Sequence, residues 1–104
     1  MSFIATVSYE LSKDTTDDAR RLFRAELVGR RYFDRWEGKR MPDTTVWARK
    51  TAAEGETVVH LKAHCERDLR AAAAAVSAMR LPIRLVRAWI QVSGAGTFGL
   101  IEGE

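Results

Sequence analysis

The sequence predicts an α+β domain in which an antiparallel sheet carries two helices on one face. Three observations point there. Stretches of period-2 apolar alternation and stretches of helical period follow one another in the order β-α-β-β-α-β. The two central β stretches are separated only by a short Gly-containing turn, as in a hairpin. The chain has 104 residues, 46% of them hydrophobic, which suits one two-layer core.

Phe3 to Leu11 alternates, with Phe3, Ala5, Val7, Tyr9 and Leu11 on one side and Ile4, Thr6, Ser8 and Glu10 on the other. That pattern predicts a strand half-buried on one face. Ser12-Lys13-Asp14 breaks it. Thr15 then stands as an N-cap with Asp18 three residues on, a form of capping box. Ala19, Leu22, Phe23 and Leu27 recur at helical spacing and predict a helix from about Thr16 to Val28. Gly29 is placed to take the left-handed residue past its end. Arg30 to Arg40 holds Tyr32, Phe33 and Trp36 and a Glu37-Gly38-Lys39 turn, without a clear period.

Thr44 to Lys50 and Thr57 to Ala63 read as the hairpin strands, joined by a turn with Gly55. Glu66 and Asp68 open a second helix, whose stripe is Leu69, Ala72, Ala73, Val76 and Met79. The alanine run has high helix propensity and a thin surface. Leu81-Pro82 stops this helix, and Ile83 to Val92 reads as the last long strand. The element order is that of the split βαβ, or ferredoxin-like, arrangement. A single domain over 1–93 is expected. A Gly-rich tail over 94–104 follows, with an edge strand at Thr97–Ile101.

Composition narrows the classes. One cysteine, Cys65, rules out an intrachain disulfide and a cysteine zinc cluster. The opening MSFIATVSYE lacks the basic and apolar regions of a signal peptide. No apolar run nears the ~18 residues of a membrane span. The expectation is a cytoplasmic protein with no membrane partner. Net charge is +3, and thirteen of the 17 cations are Arg.

With both helices on one face, the opposite face of the sheet is open. Its expected residues are Ile4, Thr6, Ser8 and Glu10 from the first strand, and Thr45, Trp47, Arg49, Val58, His60 and Lys62 from the hairpin. Leu85, Arg87, Trp89 and Gln91 come from the last strand. Aromatics beside cations are what single-stranded RNA platforms use. Trp47, Arg49, Lys62, Arg87 and Trp89 are therefore candidate nucleic-acid contacts. The same composition suits burial in a homodimer. Arg20, Arg24 and Arg31 make a second candidate stripe for phosphate on the first helix. Asp17, Asp18 and Glu26 lie near enough to neutralise it as a solvated face.

Catalytic constellations are sparse. His60 and His64 would sit ~13 Å apart along a strand, too far to share a metal. Gly94-Ala95-Gly96 has no helix after it and is not a dinucleotide fingerprint. Glu10, at the end of the first strand on the open face, is the candidate catalytic and metal-binding acid. Two such carboxylates in a symmetric dimer could share Mg²⁺. No other cofactor is expected.

Thr6-Val7-Ser8-Tyr9-Glu10-Leu11, a first strand ending in an acid before a helix, resembles the opening of small ferredoxin-like proteins of the CRISPR-adaptation subunit and virulence-associated protein D group. Pro42-Asp43-Thr44-Thr45-Val46-Trp47 resembles their second strand. Glu10 stands where those proteins commonly carry Asp. The resemblance implies a dimer associated with nucleic acid, with Thr97–Ile101 as an extra C-terminal strand. The leading expectation is thus a basic dimer contacting RNA or DNA, as a subunit of a larger complex. The alternatives are an oligomerisation or protein-binding module without catalysis, and a metal-dependent ribonuclease using Glu10.

Overall fold

The computed structural model describes residues 2–94. Within them the elements are β1 (Ser2–Leu11), α1 (Asp17–Gly29), β2 (Arg35–Trp36), β3 (Lys39–Arg40), β4 (Thr45–Thr51), α2 (Val58–Ala78) and β5 (Leu85–Gly94). β1 lies at the centre of an antiparallel sheet ordered β4-β1-β5. Phe33 makes an isolated antiparallel bridge to Trp47, with N···O distances of 2.7 and 3.0 Å. The spatial order is therefore Phe33, β4, β1, β5. That is the ferredoxin-like α+β arrangement, with its second strand reduced to one bridge.

The core follows from the alternation. Ala5, Val7, Tyr9 and Leu11 of β1 and Val46 and Ala48 of β4 point to the helix side. There they meet Ala19, Phe23 and Leu27 of α1 and Cys65, Leu69, Ala72 and Val76 of α2. Each large side chain so buried contributes about 1.5–3 kcal/mol. The Tyr9 and Phe23 rings meet edge to face at 4.9 Å.

Helix α1 starts one residue later than expected. Thr16 is the N-cap, its Oγ1 accepting from Ala19 N at 3.1 Å. Thr15 is buried instead and bonds Ser12 through its hydroxyl. The far end also differs. The left-handed residue is Arg31, at φ 70°, not Gly29. Arg31 N bonds Val28 O and Tyr32 N bonds Leu27 O, the paired bonds of a Schellman motif. The motif delivers Tyr32 into the core, fully buried.

The largest correction concerns Thr57–Ala63, which is helix rather than strand. Thr57 is the N-cap of α2, and His60 Nδ1 accepts from the Thr57 N–H at 2.9 Å. The histidine thus fills the role usually taken by Glu or Gln in a capping box. Leu61, Cys65, Leu69, Ala72 and Val76 form one continuous buried stripe at helical spacing. Burying that stripe outweighs the β preference of Val58 and Val59, and Val59 is left 66% exposed. Glu66 and Asp68, expected to open this helix, lie inside it.

The stretch 30–40 supplies the bridge at Phe33 and the small β2–β3 hairpin. Glu37 and Gly38 turn it, both at positive φ, as a two-residue hairpin loop requires. In β5 the register shifts between Glu10 and Leu11, so Leu85 packs on the core rather than the open face. The expected strand at Thr97–Ile101 lies outside the described residues. Among those described, no helix is long and apolar enough to cross a membrane.

Candidate nucleic-acid interface

Cross-strand partners in an antiparallel sheet share a face. The register sets Thr6 opposite Trp47 and Gln91, Ser8 opposite Thr45 and Trp89, and Ile4 opposite Arg49 and Ser93. Glu10 stands opposite Arg87. The face away from the helices thus carries Trp47, Arg49, Arg87, Trp89 and Glu10 together, as the alternation predicts. Ser8 Oγ and Thr45 Oγ1, 2.9 Å apart, tie β1 to β4 across it.

Trp47 is the best-fixed residue of this face. Its Nε1 donates to the Arg35 carbonyl at 2.6 Å. Its ring lies 4.8 Å from the Phe33 ring and meets the Trp36 ring edge-on at 4.7 Å. The Phe33 bridge and the β2–β3 hairpin therefore fold beside the sheet and each add one ring to it. Trp89, on the other flank, is 69% exposed, and Phe33 is 47% exposed. At ~4.8 Å between strands and ~3.3 Å per residue, the Trp47 and Trp89 backbones are about 12 Å apart. That span suits two or three splayed nucleotides.

The charges are unevenly committed. Arg49 is exposed beside this face. Arg87 Nε sits 3.5 Å from Glu10 Oε1, both side chains largely in solvent, so the pair is weak. Arg20 and Arg24 are elsewhere, on the helix side. Arg20 donates to the Ser12 and Thr15 carbonyls. Arg24, only 13% exposed, donates to the Pro42 and Asp43 carbonyls and pairs with Asp34. The two arginines hold loops in place around a cavity of about 390 Å³. Arg31 is exposed past the end of α1. Lys62 is on α2 and pairs with Glu66, so it is not on the sheet face at all. Val58 and His60 leave that face for the same reason.

Phe33 and Trp36 are the residues that periodicity missed. Their signal was aromatic spacing in a stretch with no period of its own.

Away from this face, Tyr32 donates to Asp68 Oδ2 at 2.8 Å, and Lys50 Nζ reaches the same oxygen at 3.2 Å. Lys50 also lies over the Tyr32 ring. Burial, with Cys65 and Asp68 nearby, pushes the Tyr32 hydroxyl far above its ordinary pKa. Burial likewise pushes up the Cys65 thiol and the Tyr9 hydroxyl. The bonds of Tyr32 and Lys50 to Asp68 tie the end of α1 to α2 and β4. Among the described residues, no three His, Cys, Asp or Glu side chains stand close enough to hold a metal. No family model, curated protein or solved structure matches this chain.

Proposed function

We propose that this chain binds single-stranded nucleic acid across the open face of its sheet. The observation that carries the proposal is the ring cluster of Phe33, Trp36 and Trp47 facing Trp89 across β1, with Arg49 and Arg87 beside it. Base–aromatic stacking contributes about 1–3 kcal/mol per base and tolerates any sequence. The arginines add phosphate contacts that weaken with salt. RNA fits the same chemistry as DNA on this face. The resemblance of the first strand to nucleic-acid-associated dimers points the same way, as does a role within a larger complex.

The test is binding of a labelled single strand against a duplex of the same sequence. Tighter binding of the single strand, falling as salt rises from about 50 to 200 mM, is the expected result. Preference for the duplex overturns the stacking component.

A second reading is favoured by the exposure of Trp89 and Phe33. It makes the open face a homodimer interface, in a module without catalysis. Such a dimer persists on gel filtration at high salt and binds no nucleic acid. The nuclease reading rests on Glu10 alone, which the structure sets beside Arg87.

A further inference from the structure

The seam between α2 and β5 is only partly closed. Among the described residues β5 pairs with β1 on one side and with no strand on the other. Among the described residues, none pairs with its outer N–H and C=O groups from Leu85 to Ser93. Beside that edge runs a groove of about 600 Å³, floored by Leu69, Ala73, Ile83, Leu85 and Ile90. A smaller hollow at Val58, Val59 and Val92 continues it along β5. The rim is basic. Among the described residues, Arg70 and Arg84 have no carboxylate within 4 Å, and Arg87 has its exposed pair with Glu10. Glu66, the acid on this rim, is held by Lys62 at 3.4 Å.

We infer that this groove takes an extended acidic segment of a partner protein, added as a further strand on β5. Each feature asks for one part of that ligand. The open edge asks for a polypeptide main chain in β geometry. The apolar floor asks for an apolar side chain at every second position. Arg70 and Arg84 ask for carboxylates at the ends of the segment, and Arg87, on the other face of β5, asks for one at a position between. Nucleic acid fits less well, because the floor offers no ring to stack on. A second copy also fits less well. Self-pairing of β5 brings two basic rims together and supplies no free carboxylate to either.

The test uses the full chain and an eight-residue peptide alternating valine and glutamate. A second peptide carries lysine in place of glutamate. Amide hydrogen exchange across residues 85–93 is followed together with affinity. The acidic peptide is expected to slow exchange at the outer edge of β5 by about tenfold or more, and the lysine peptide to leave it unchanged. The exposed double substitution R70Q/R84Q is expected to weaken the acidic peptide about tenfold, with an unaltered circular dichroism spectrum. Equal binding of both peptides overturns the inference. So does protection of β5 that rises with protein concentration alone, which assigns the edge to a second copy. Protection of the outer edge of β5 by a single-stranded oligonucleotide in W89A/R49Q, which lacks the open-face contacts, overturns it as well. None of these outcomes depends on whether the open face binds nucleic acid.

Discussion

The Phe33 ring lies 4.8 Å from the Trp47 ring, across the bridge that extends the sheet beyond β4. This contact makes an otherwise aperiodic stretch part of the aromatic face. It also separates two kinds of tryptophan. Trp47 is built into the hairpin through its Nε1 bond to Arg35, whereas Trp89 projects freely. Trp89→Ala is expected to cost about 1–2 kcal/mol in single-strand affinity and to leave stability within about 0.5 kcal/mol. Trp47→Ala is expected to lower both. Fluorescence anisotropy and urea denaturation of the two variants check this; equal stability losses would contradict the distinction.

Arg31 occupies the left-handed position that closes α1. An L side chain there costs about 1–2 kcal/mol relative to a glycine, which also loses more entropy on folding. Arg31→Gly is expected to stabilise the chain by about 1 kcal/mol, measured by urea denaturation. A destabilised variant would mean that the Arg31 side chain, not the backbone bonds of the motif, holds the helix end.

Buried Tyr32 is expected to set the alkaline limit of stability. The buried Tyr32 hydroxyl titrates far higher when folded than when unfolded. A raised folded pKa gives stability that is fully present below the unfolded value of about 10 and declines as pH rises above it. Buried Tyr9 and Cys65 act in the same direction. Denaturation midpoints are therefore expected to fall above about pH 9–10, less steeply in Tyr32→Phe. At neutral pH that variant is expected to lose about 1–2 kcal/mol, because it removes a hydrogen bond to a carboxylate. An equal alkaline slope in the variant and the parent chain would contradict this role of Tyr32.

Glu10 separates binding from catalysis. Its pair with Arg87 is exposed, so Glu10→Gln is expected to change stability by less than about 0.5 kcal/mol. On a binding face, removing this carboxylate frees Arg87 and is expected to tighten single-strand affinity about twofold. Weaker binding in Glu10→Gln would contradict that role. Mg²⁺-dependent cleavage that disappears in the variant would assign Glu10 to a nuclease instead.

Sequence patterning carried the sheet well, for a physical reason. β4 buries one side, and β1 does so except at Ile4, which is buried on the other face, so their alternation tells the open face from the core, and the residues of β5 follow in register. Thr6, Trp47, Arg49, Arg87 and Trp89 were legible on that basis. The start of α2 was not. Val59, Leu61 and Ala63 alternate like a strand, while Leu61, Cys65 and Leu69 recur like a helix, and burial of the longer stripe decided between them. Phe33 was illegible as a strand because a single bridge has no period. Arg20 and Arg24 read as a phosphate stripe because spacing does not show the loop carbonyls they serve.

The open face as a single-strand platform is tested most directly by the double substitution W89A/R49Q. Both residues are exposed and far from the core. Anisotropy of a labelled single-stranded oligonucleotide of about twelve nucleotides at about 50 mM salt reads the affinity. The expected result is salt-sensitive binding by the parent chain, weakened roughly tenfold to a hundredfold in the variant with an unchanged melting temperature. Undetectable binding by the parent chain, or equal affinity in the variant, would contradict it.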